Sequence, residues 1–237
     1  QGNWSSDVCS SDLLRGLLGS LQWPAVQSSP HLQASTSVYS GSVSKGLLKT
    51  AMDTNRLLKF AKENSDVGLT FPPLGPVENL RMITAFDASF CSRPDGTSQG
   101  GYFVLLAPKH VLETQEDVYH ILDWKSFKLP RVARSSLSAE AQSAGCAADA
   151  TEFACRYYEH LLQPDVPLAT LLNLKSSLAP TLVTDAKALF DSYHRESLVS
   201  NVTDRRSSLE IRVVKEQISG LGGGLRWVSS AVSWLMD

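Results

Sequence analysis

Three acidic residues, Asp87, Glu140 and Asp185, stand where a strand or a helix would hold a carboxylate rigidly. Asp87 follows the apolar run 82–86 and Asp185 follows the run 181–184, and both runs are typical of short strands. Glu140 opens an alanine-rich helical pattern. Carboxylates are preferred ligands of Mg²⁺, and two such ions can drive in-line attack on a phosphodiester. The joint order of the three acids therefore favours metal-assisted cleavage of a phosphodiester.

Each acid taken singly has a simpler explanation. Asp87 could be an ordinary acid at a strand end, and Glu140 could interact with the dipole of its helix from the first turn. The hypothesis of a shared site therefore depends on elements that bring the three carboxylates to one edge of a sheet.

The elements that would position these acids follow a boundary at the closely spaced prolines of 72–76. Before it, the region 14–64 is helical in pattern, with expected breaks at Pro24 and Pro30. After it, we predict three antiparallel strands over 82–90, 101–107 and 118–126. There follow a helix over 137–162 capped by Ser136, a strand over 180–185, helices over 186–194 and 204–218, and a strand over 225–229. This order predicts one mixed sheet with helices on its faces.

Composition limits the classes of function. The 237 residues are 43% hydrophobic, which allows a large core in one domain with or without an appendage, and the net charge of −2 gives no bulk attraction to a polyanion. Nucleic-acid binding would need a local basic cluster, and Lys125, Lys128, Arg131 and Arg134 recur every three residues before the long helix. A solvated basic edge strand is the alternative explanation. No apolar run reaches membrane-spanning length, so no membrane is expected as a partner.

The cysteines and the first residues indicate setting and origin. Cys9, Cys91, Cys146 and Cys155 form no C-x-x-C pair, so a structural zinc site is not expected and a reducing, intracellular setting is favoured over secretion. The run WSSDVCSSDL at 4–13 matches a translated sequencing-library adaptor and lacks the apolar region of a signal peptide. We expect residues 1–13 to be an artefact and disordered.

Several motifs in order along the chain resemble the ribonuclease H domain of copia-type retrotransposon Pol polyproteins. They are FDAS at 86–89, DGTSQGGY at 95–102, DWKS at 123–126, SSLSAEA at 135–141, TDAK at 184–187, LEIR at 209–212 and RWV at 226–228. The run RGLLGSLQW at 15–23 is similar to the connection segment that precedes this nuclease. On this resemblance, 14–76 is a helical connection segment and linker, and 77–237 is a ribonuclease H-like domain truncated at its C-terminus.

The resemblance implies an α/β fold with a mixed five-stranded sheet, three antiparallel strands then two parallel, flanked by helices and preceded by a helical appendage. It implies an endonuclease that cuts the RNA strand of RNA–DNA hybrids with two Mg²⁺ or Mn²⁺ ions, held by Asp87, Glu140, Asp185 and a fourth acid, Asp237. The polymerase part of the parent polyprotein would be a partner, in the cytoplasm or a virus-like particle. The alternative is a catalytically decayed remnant that at most binds nucleic acid.

Three further polar residues, Ser89, Ser98 and Gln99, lie in the resembling motifs close to Asp87. Their hydroxyl and amide groups could hydrogen-bond the 2′-hydroxyl groups that distinguish RNA from DNA. Together with the four basic residues, they are the candidate contacts to a hybrid.

Overall fold

The computed structural model describes residues 4–45, 48–114, 118–195 and 205–229 of the chain. Its helices are α1 Trp4–Gln27, α2 Gln33–Ser40, α3 Leu48–Glu63, α4 Val111–Thr114, α5 Ser136–Leu162, α6 Leu168–Leu171, α7 Lys187–His194 and α8 Arg205–Gly220. Its strands are β1 Leu80–Ser89, β2 Gln99–Pro108, β3 His120–Lys128, β4 Thr181–Thr184 and β5 Gly224–Trp227. Within these ranges, no helix combines the length and the apolar character needed to cross a bilayer.

The five strands form one mixed sheet in the order β3-β2-β1-β4-β5. The first three strands are antiparallel neighbours, while β4 runs parallel to β1 and β5 runs parallel to β4. The predicted ribonuclease H-like sheet, three antiparallel strands followed by two parallel ones, is therefore confirmed, as is the helical N-terminal appendage. Short parallel β4 and β5 need covering helices on their connections, which α7 and α8 supply.

The two faces of β1 bury different sets of side chains because successive residues of a strand point in opposite directions. On one face Met82 and Phe86 are fully buried in the main core together with the alanines of α5 and the apolar side of α8. On the other face Ile83 packs with Leu105 and Ala107 in a separate cluster. Helices α1 and α2 lie over the part of this second face formed by β2 and β3, and Trp124 Nε1 donates to the Ala25 carbonyl at 2.8 Å.

The start of α5 differs by one residue from the sequence prediction. Ser135, not Ser136, is the N-cap, because its backbone is extended and its hydroxyl accepts from the Ser138 amide at 3.1 Å. Glu140 is thereby the fifth helical residue and begins the second turn, so the expected place in the first turn was wrong. A contact with the helix dipole is correspondingly weaker, and the carboxylate is left to face the end of the sheet.

The N-terminal helix also departs from expectation. Pro24 lies inside α1, which continues to Gln27, so the predicted break at this proline was wrong. The lost hydrogen bond is offset by burial of Leu21 and Ala25 against Leu32 and Leu57. Helix α1 begins at Trp4, so the described backbone of residues 4–13 is helical, whereas disorder was expected. An adaptor origin for these residues stays a prediction.

A buried arginine on α5 holds the segment that leads into β4. Arg156 donates to the carbonyls of Leu171 and Leu174 at 2.8 and 2.6 Å and to that of Leu172 at 3.0 Å. One turn later, the Glu159 carboxylate accepts from the Ser177 amide at 2.7 Å. These charge-assisted bonds fix where β4 enters the sheet, and therefore where its last residues lie.

Candidate active site

The three acids are brought to one edge of the sheet by parallel pairing. Ala85 of β1 is opposite Val183 of β4, so Asp87 and Asp185 each lie two residues beyond that pair, at the carboxyl ends of neighbouring parallel strands. Helix α5 is fastened to the same edge, because Ser143 Oγ lies 2.8 Å from the Asp87 carbonyl oxygen and 3.3 Å from that of Gly101. Glu140 precedes Ser143 by three residues and therefore lies on the same face of the helix.

Glu140 is buried, and the charges of the other two acids act on it. Its side chain is 8% exposed, and burial, followed by the negative charges of Asp87 and Asp185, raises its pKa to about 9. The pKa of Asp185 is also raised, first by burial and then by the charge of Asp87. Asp87 itself is half-buried at the end of β1. Without a cation, the site therefore holds Glu140 protonated at neutral pH.

The donor set fits a hard divalent cation. Glu140 Oε2 is buried and has no hydrogen-bond partner among the described residues. The other candidate metal ligands beside it are carboxylate oxygens, which hard divalent cations prefer. Burial and charge repulsion together raise the pKa of Glu140 and Asp185, and a bound cation would offset the repulsion. The coordination shell is not already assembled, since no three acidic, histidine or cysteine side chains within the described ranges are grouped closely enough to hold one ion.

Asp185 is positioned through its backbone. Trp227 Nε1 of β5 donates to the Asp185 carbonyl at 2.9 Å, and the Ala186 amide donates to Thr184 Oγ1 at 3.0 Å, which shapes the turn between β4 and α7. Asp191, the next acid along the chain, is exposed and pairs with Lys187 at 3.6 Å instead of reaching the site. The predicted fourth ligand, Asp237, lies outside the described residues.

The three candidate contacts to a ribose have different surroundings. Ser89 is exposed at the end of β1. Ser98 is buried, and its hydroxyl accepts from the Cys91 amide at 3.0 Å, which closes the β1–β2 turn. Gln99 is half-buried, and its Nε2 donates to Ser126 Oγ at 2.9 Å. Ser89 is thus the one of the three with an exposed side chain.

The four basic residues before α5 do not share one surface. Lys125 lies on the face of β3 that carries Phe127, with its Nζ 5.4 Å from that ring, whereas Lys128 pairs with Asp95 at 2.8 Å. Arg131 pairs with Glu210 of α8 at 2.7 Å. A spacing of three residues suits one helix face, but β3 ends at Lys128 and alternates its side chains between faces.

A small cavity near the start of α5 gathers arginines from two segments. Arg131 and Arg134 line it with Arg206 of α8, beside Ser138 and Gln142. Arg206 was not predicted, because nothing in the spacing of the sequence brings α8 to this point. Ser143, which joins α5 to β1, was also missed, although its distance of three residues from Glu140 was a usable signal.

Comparisons with known proteins give only weak similarities. No family model and no curated protein matches the chain. A ribonuclease H1 of the archaeon Halobacterium salinarum is 14% identical over 65% of this chain and 89% of its own, with a TM-score of 0.39. The ribonuclease H domain of PFV is 15% identical over 64% and 81%, with a TM-score of 0.35. A foamy viral protease–reverse transcriptase in complex with an RNA/DNA hybrid is 12% identical over 82% and 26%, with a TM-score of 0.39.

Proposed function

We propose that this chain is a divalent-metal-dependent endonuclease that cleaves the RNA strand of RNA–DNA hybrids. The observation that carries the proposal is the convergence of Asp87, Glu140 and Asp185 at one sheet edge, where Glu140 is buried with an oxygen that lacks a partner among the described residues. Burial and the repulsion between the three acids raise the pKa of Glu140, and a divalent cation would stabilise its ionised form.

Asp87, Glu140 and Asp185 would hold Mg²⁺ or Mn²⁺, and we include Asp237 as a proposed fourth ligand. Bound metal supplies charge stabilisation for the phosphodiester and activates water. The protein's own contribution is positional, because Ser143 fixes α5 against β1 and Trp227 fixes the turn that carries Asp185. Rigid placement of the acids on strand ends and a capped helix is what such chemistry requires.

The hybrid would be held by its phosphates at the cavity of Arg131, Arg134 and Arg206. Arginine presents planar, forked donors that match phosphate oxygens, and Gln142 and Ser138 add neutral polar groups beside them. The chain's net charge of −2 makes such local placement necessary. We also propose Ser89 as the residue nearest to Asp87 that could contact a ribose hydroxyl.

The sequence motifs support a further step about origin. We propose that the chain derives from a copia-type Pol polyprotein, in which α1, α2 and α3 correspond to the connection segment and a polymerase part precedes them. Reading the genomic frame on either side of the coding region tests this idea. A polymerase-like frame upstream would support it, and an unrelated upstream frame would refute it.

Cleavage of a labelled RNA–DNA hybrid tests the function directly. We expect cleavage in Mg²⁺ or Mn²⁺, none in EDTA, and at least a hundredfold loss in Asp87→Asn, because a neutral amide cannot replace a metal-binding carboxylate. Asp191→Asn is the matched control, since this aspartate is exposed and pairs with Lys187 away from the site. Equal cleavage by Asp87→Asn, or equal cleavage of single-stranded RNA, would refute the assignment. Binding of the hybrid without cleavage would favour the decayed remnant instead.

A further inference from the structure

The second half of α5 presents an apolar stripe to solvent. Phe153, Tyr157 and Leu161 follow one another at intervals of four residues, so they lie on one face of the helix. All three side chains are exposed, and the rings of Phe153 and Tyr157 stack with 6.2 Å between their centroids. The buried alanines of the same helix pack in the main core instead. The stripe therefore contributes nothing to the core of the domain.

Exposed leucines of α6 extend this apolar surface. Arg156, which lies between Phe153 and Tyr157 along α5, donates to the Leu172 carbonyl at 3.0 Å and so holds α6 beside the stripe. Leu168 and Leu172, at the two ends of α6, are each more than half exposed. From their exposed fractions, the three residues of the stripe and these two leucines present roughly 500 Å² of apolar surface, the size of the largest patch on a typical monomer. A patch of this size indicates an interface with another molecule.

The polar residues at the ends of the stripe indicate what covers it. Asp149 lies one turn before Phe153, His160 lies one turn after Tyr157, and both are exposed. The midpoint of Asp149 and His160 falls between residues 154 and 155, and the midpoint of Phe153 and Tyr157 falls at residue 155. A two-fold axis at this point would therefore place Phe153 opposite Tyr157 of a second copy and, at the same time, Asp149 opposite its His160.

The charges beside the stripe disfavour other occupants. Asp149 and Glu152 both accept from Gln217 Nε2, at 3.1 and 2.8 Å, and place two carboxylates near its start. Carboxylates repel the phosphates of nucleic acid and the anionic surface of a membrane. The second oxygen of Asp149 can still accept from an imidazole such as that of His160. A surface that carries both members of each pair matches a second copy of this chain.

We propose that two copies of this chain associate through α5, with the two helices antiparallel and stripe against stripe. The aromatic rings form the centre of the interface, and the pairs of Asp149 with His160 form its rim. Glu140 precedes the two-fold axis by fifteen residues, so the two candidate active sites lie about 45 Å apart along the helices and both stay open. The patch is smaller than the about 800 Å² per partner of a standard interface, so the dimer dissociates on dilution.

Sedimentation velocity over a range of protein concentrations measures this association. We expect a monomer–dimer equilibrium with a Kd on the order of 10–100 µM. Phe153→Glu should raise the Kd by about tenfold or more, because it places two carboxylates in the apolar centre of the interface. Trp23→Glu is the matched control, since Trp23 lies on α1 and, like Phe153, is an aromatic residue with 72% exposure. This control should leave the Kd unchanged.

Exchange of the polar pair tests the orientation and guards against misfolding. Asp149→Lys and His160→Glu should each weaken self-association by about three- to tenfold, because each replaces an attractive pair by an unfavourable one twice in the dimer. An equimolar mixture of the two variants should regain the wild-type affinity, since the new lysine of one copy then meets the new glutamate of the other.

Three results would contradict the proposal. A wild type that stays monomeric up to about 300 µM would overturn it, because the stripe would then not bind a second copy with the expected affinity. A Phe153→Glu variant that dimerises as the wild type does would place the interface elsewhere on the chain. A mixture of Asp149→Lys and His160→Glu that associates no better than either variant alone would overturn the antiparallel pairing.

Discussion

Replacing Glu140 by glutamine should stabilise the metal-free protein. The folded site raises the pKa of Glu140 from 4.5 to about 9, so the carboxyl stays protonated in the folded chain while it ionises in the unfolded one. Above pH 4.5 the Glu140 carboxyl loses its proton in the unfolded chain but keeps it in the folded one. Folding stability therefore falls as pH rises from 4.5 and levels off above about 9. Glutamine mimics the protonated acid at every pH and removes this dependence.

The magnitude at pH 7 follows from the unfolded value. The folded carboxyl is still protonated at this pH. The loss of folding stability is therefore set by the difference between pH 7 and the unfolded pKa of 4.5, at about 1.36 kcal/mol per pH unit. The wild type thus loses about 3 kcal/mol relative to the variant at neutral pH, and the two converge below pH 4.5. This difference is a large fraction of the stability of an ordinary domain.

Urea unfolding in EDTA at several pH values measures the effect, with the same titrations repeated in Mg²⁺. In Mg²⁺ the difference in unfolding free energy between the variant and the wild type should narrow or change sign. The wild type gains free energy from metal binding that the Glu140→Gln variant cannot fully gain. Glu159→Gln is the matched control on the same helix. Glu159 is also buried, at 6% exposure, but its carboxylate accepts hydrogen bonds from the Ser177 amide and hydroxyl. The Glu159→Gln variant should therefore be less stable than the wild type. A Glu140→Gln variant no more stable than wild type at pH 7 in EDTA would refute the reasoning.

Three further predictions concern the scaffold and the basic cavity. Gly100→Ala should lower the free energy of unfolding by about 1–3 kcal/mol in thermal unfolding, because the new Cβ would lie 2.7 Å from Leu129 Cδ2. Gly101→Ala should lower it less, because the nearest contact of its Cβ is 3.4 Å away. A larger loss for Gly101→Ala than for Gly100→Ala would contradict this packing. Arg156→Met should lower the free energy of unfolding by about 3 kcal/mol, since three carbonyls lose a charged donor. An unchanged denaturation midpoint would show that these three hydrogen bonds do not stabilise the fold. Arg134→Ala should lower hybrid affinity and reduce the slope of log K against log salt by about one, whereas an unaltered slope would remove Arg134 from the phosphate contacts.

The order of strands and the placement of the acids were predictable because both depend on local signals. Apolar runs of strand length end at Asp87 and Asp185, and a serine-capped helical pattern starts just before Glu140. Parallel pairing then brings the strand ends together whatever the details of packing. The one-residue error at the cap arose because Ser135 and Ser136 are chemically equivalent, and backbone conformation alone decides which one caps the helix.

The rest of the site could not be predicted because it depends on contacts between distant segments. The face of β3 on which Lys125 lies follows from the pleat and from the bulge between Val104 and Leu105. The two hydrogen bonds to Ser37 from Arg93 and Gln99 span more than fifty residues, as does the bond from Trp124 to Ala25. No periodicity in the sequence reports such docking, so the sequence could not predict these contacts.

The scaffold holds the acids at the sheet edge. Burial of Glu140, together with the repulsion from Asp87 and Asp185, raises its pKa and lowers stability at neutral pH. Ser143 joins α5 to the carbonyl of Asp87, and Arg156 and Glu159 fix the approach to β4. These ties involve no site carboxylate, so binding of a cation does not require them to break. The same framework can therefore tolerate the electrostatic cost in the absence of metal and present the carboxylates together when a cation arrives.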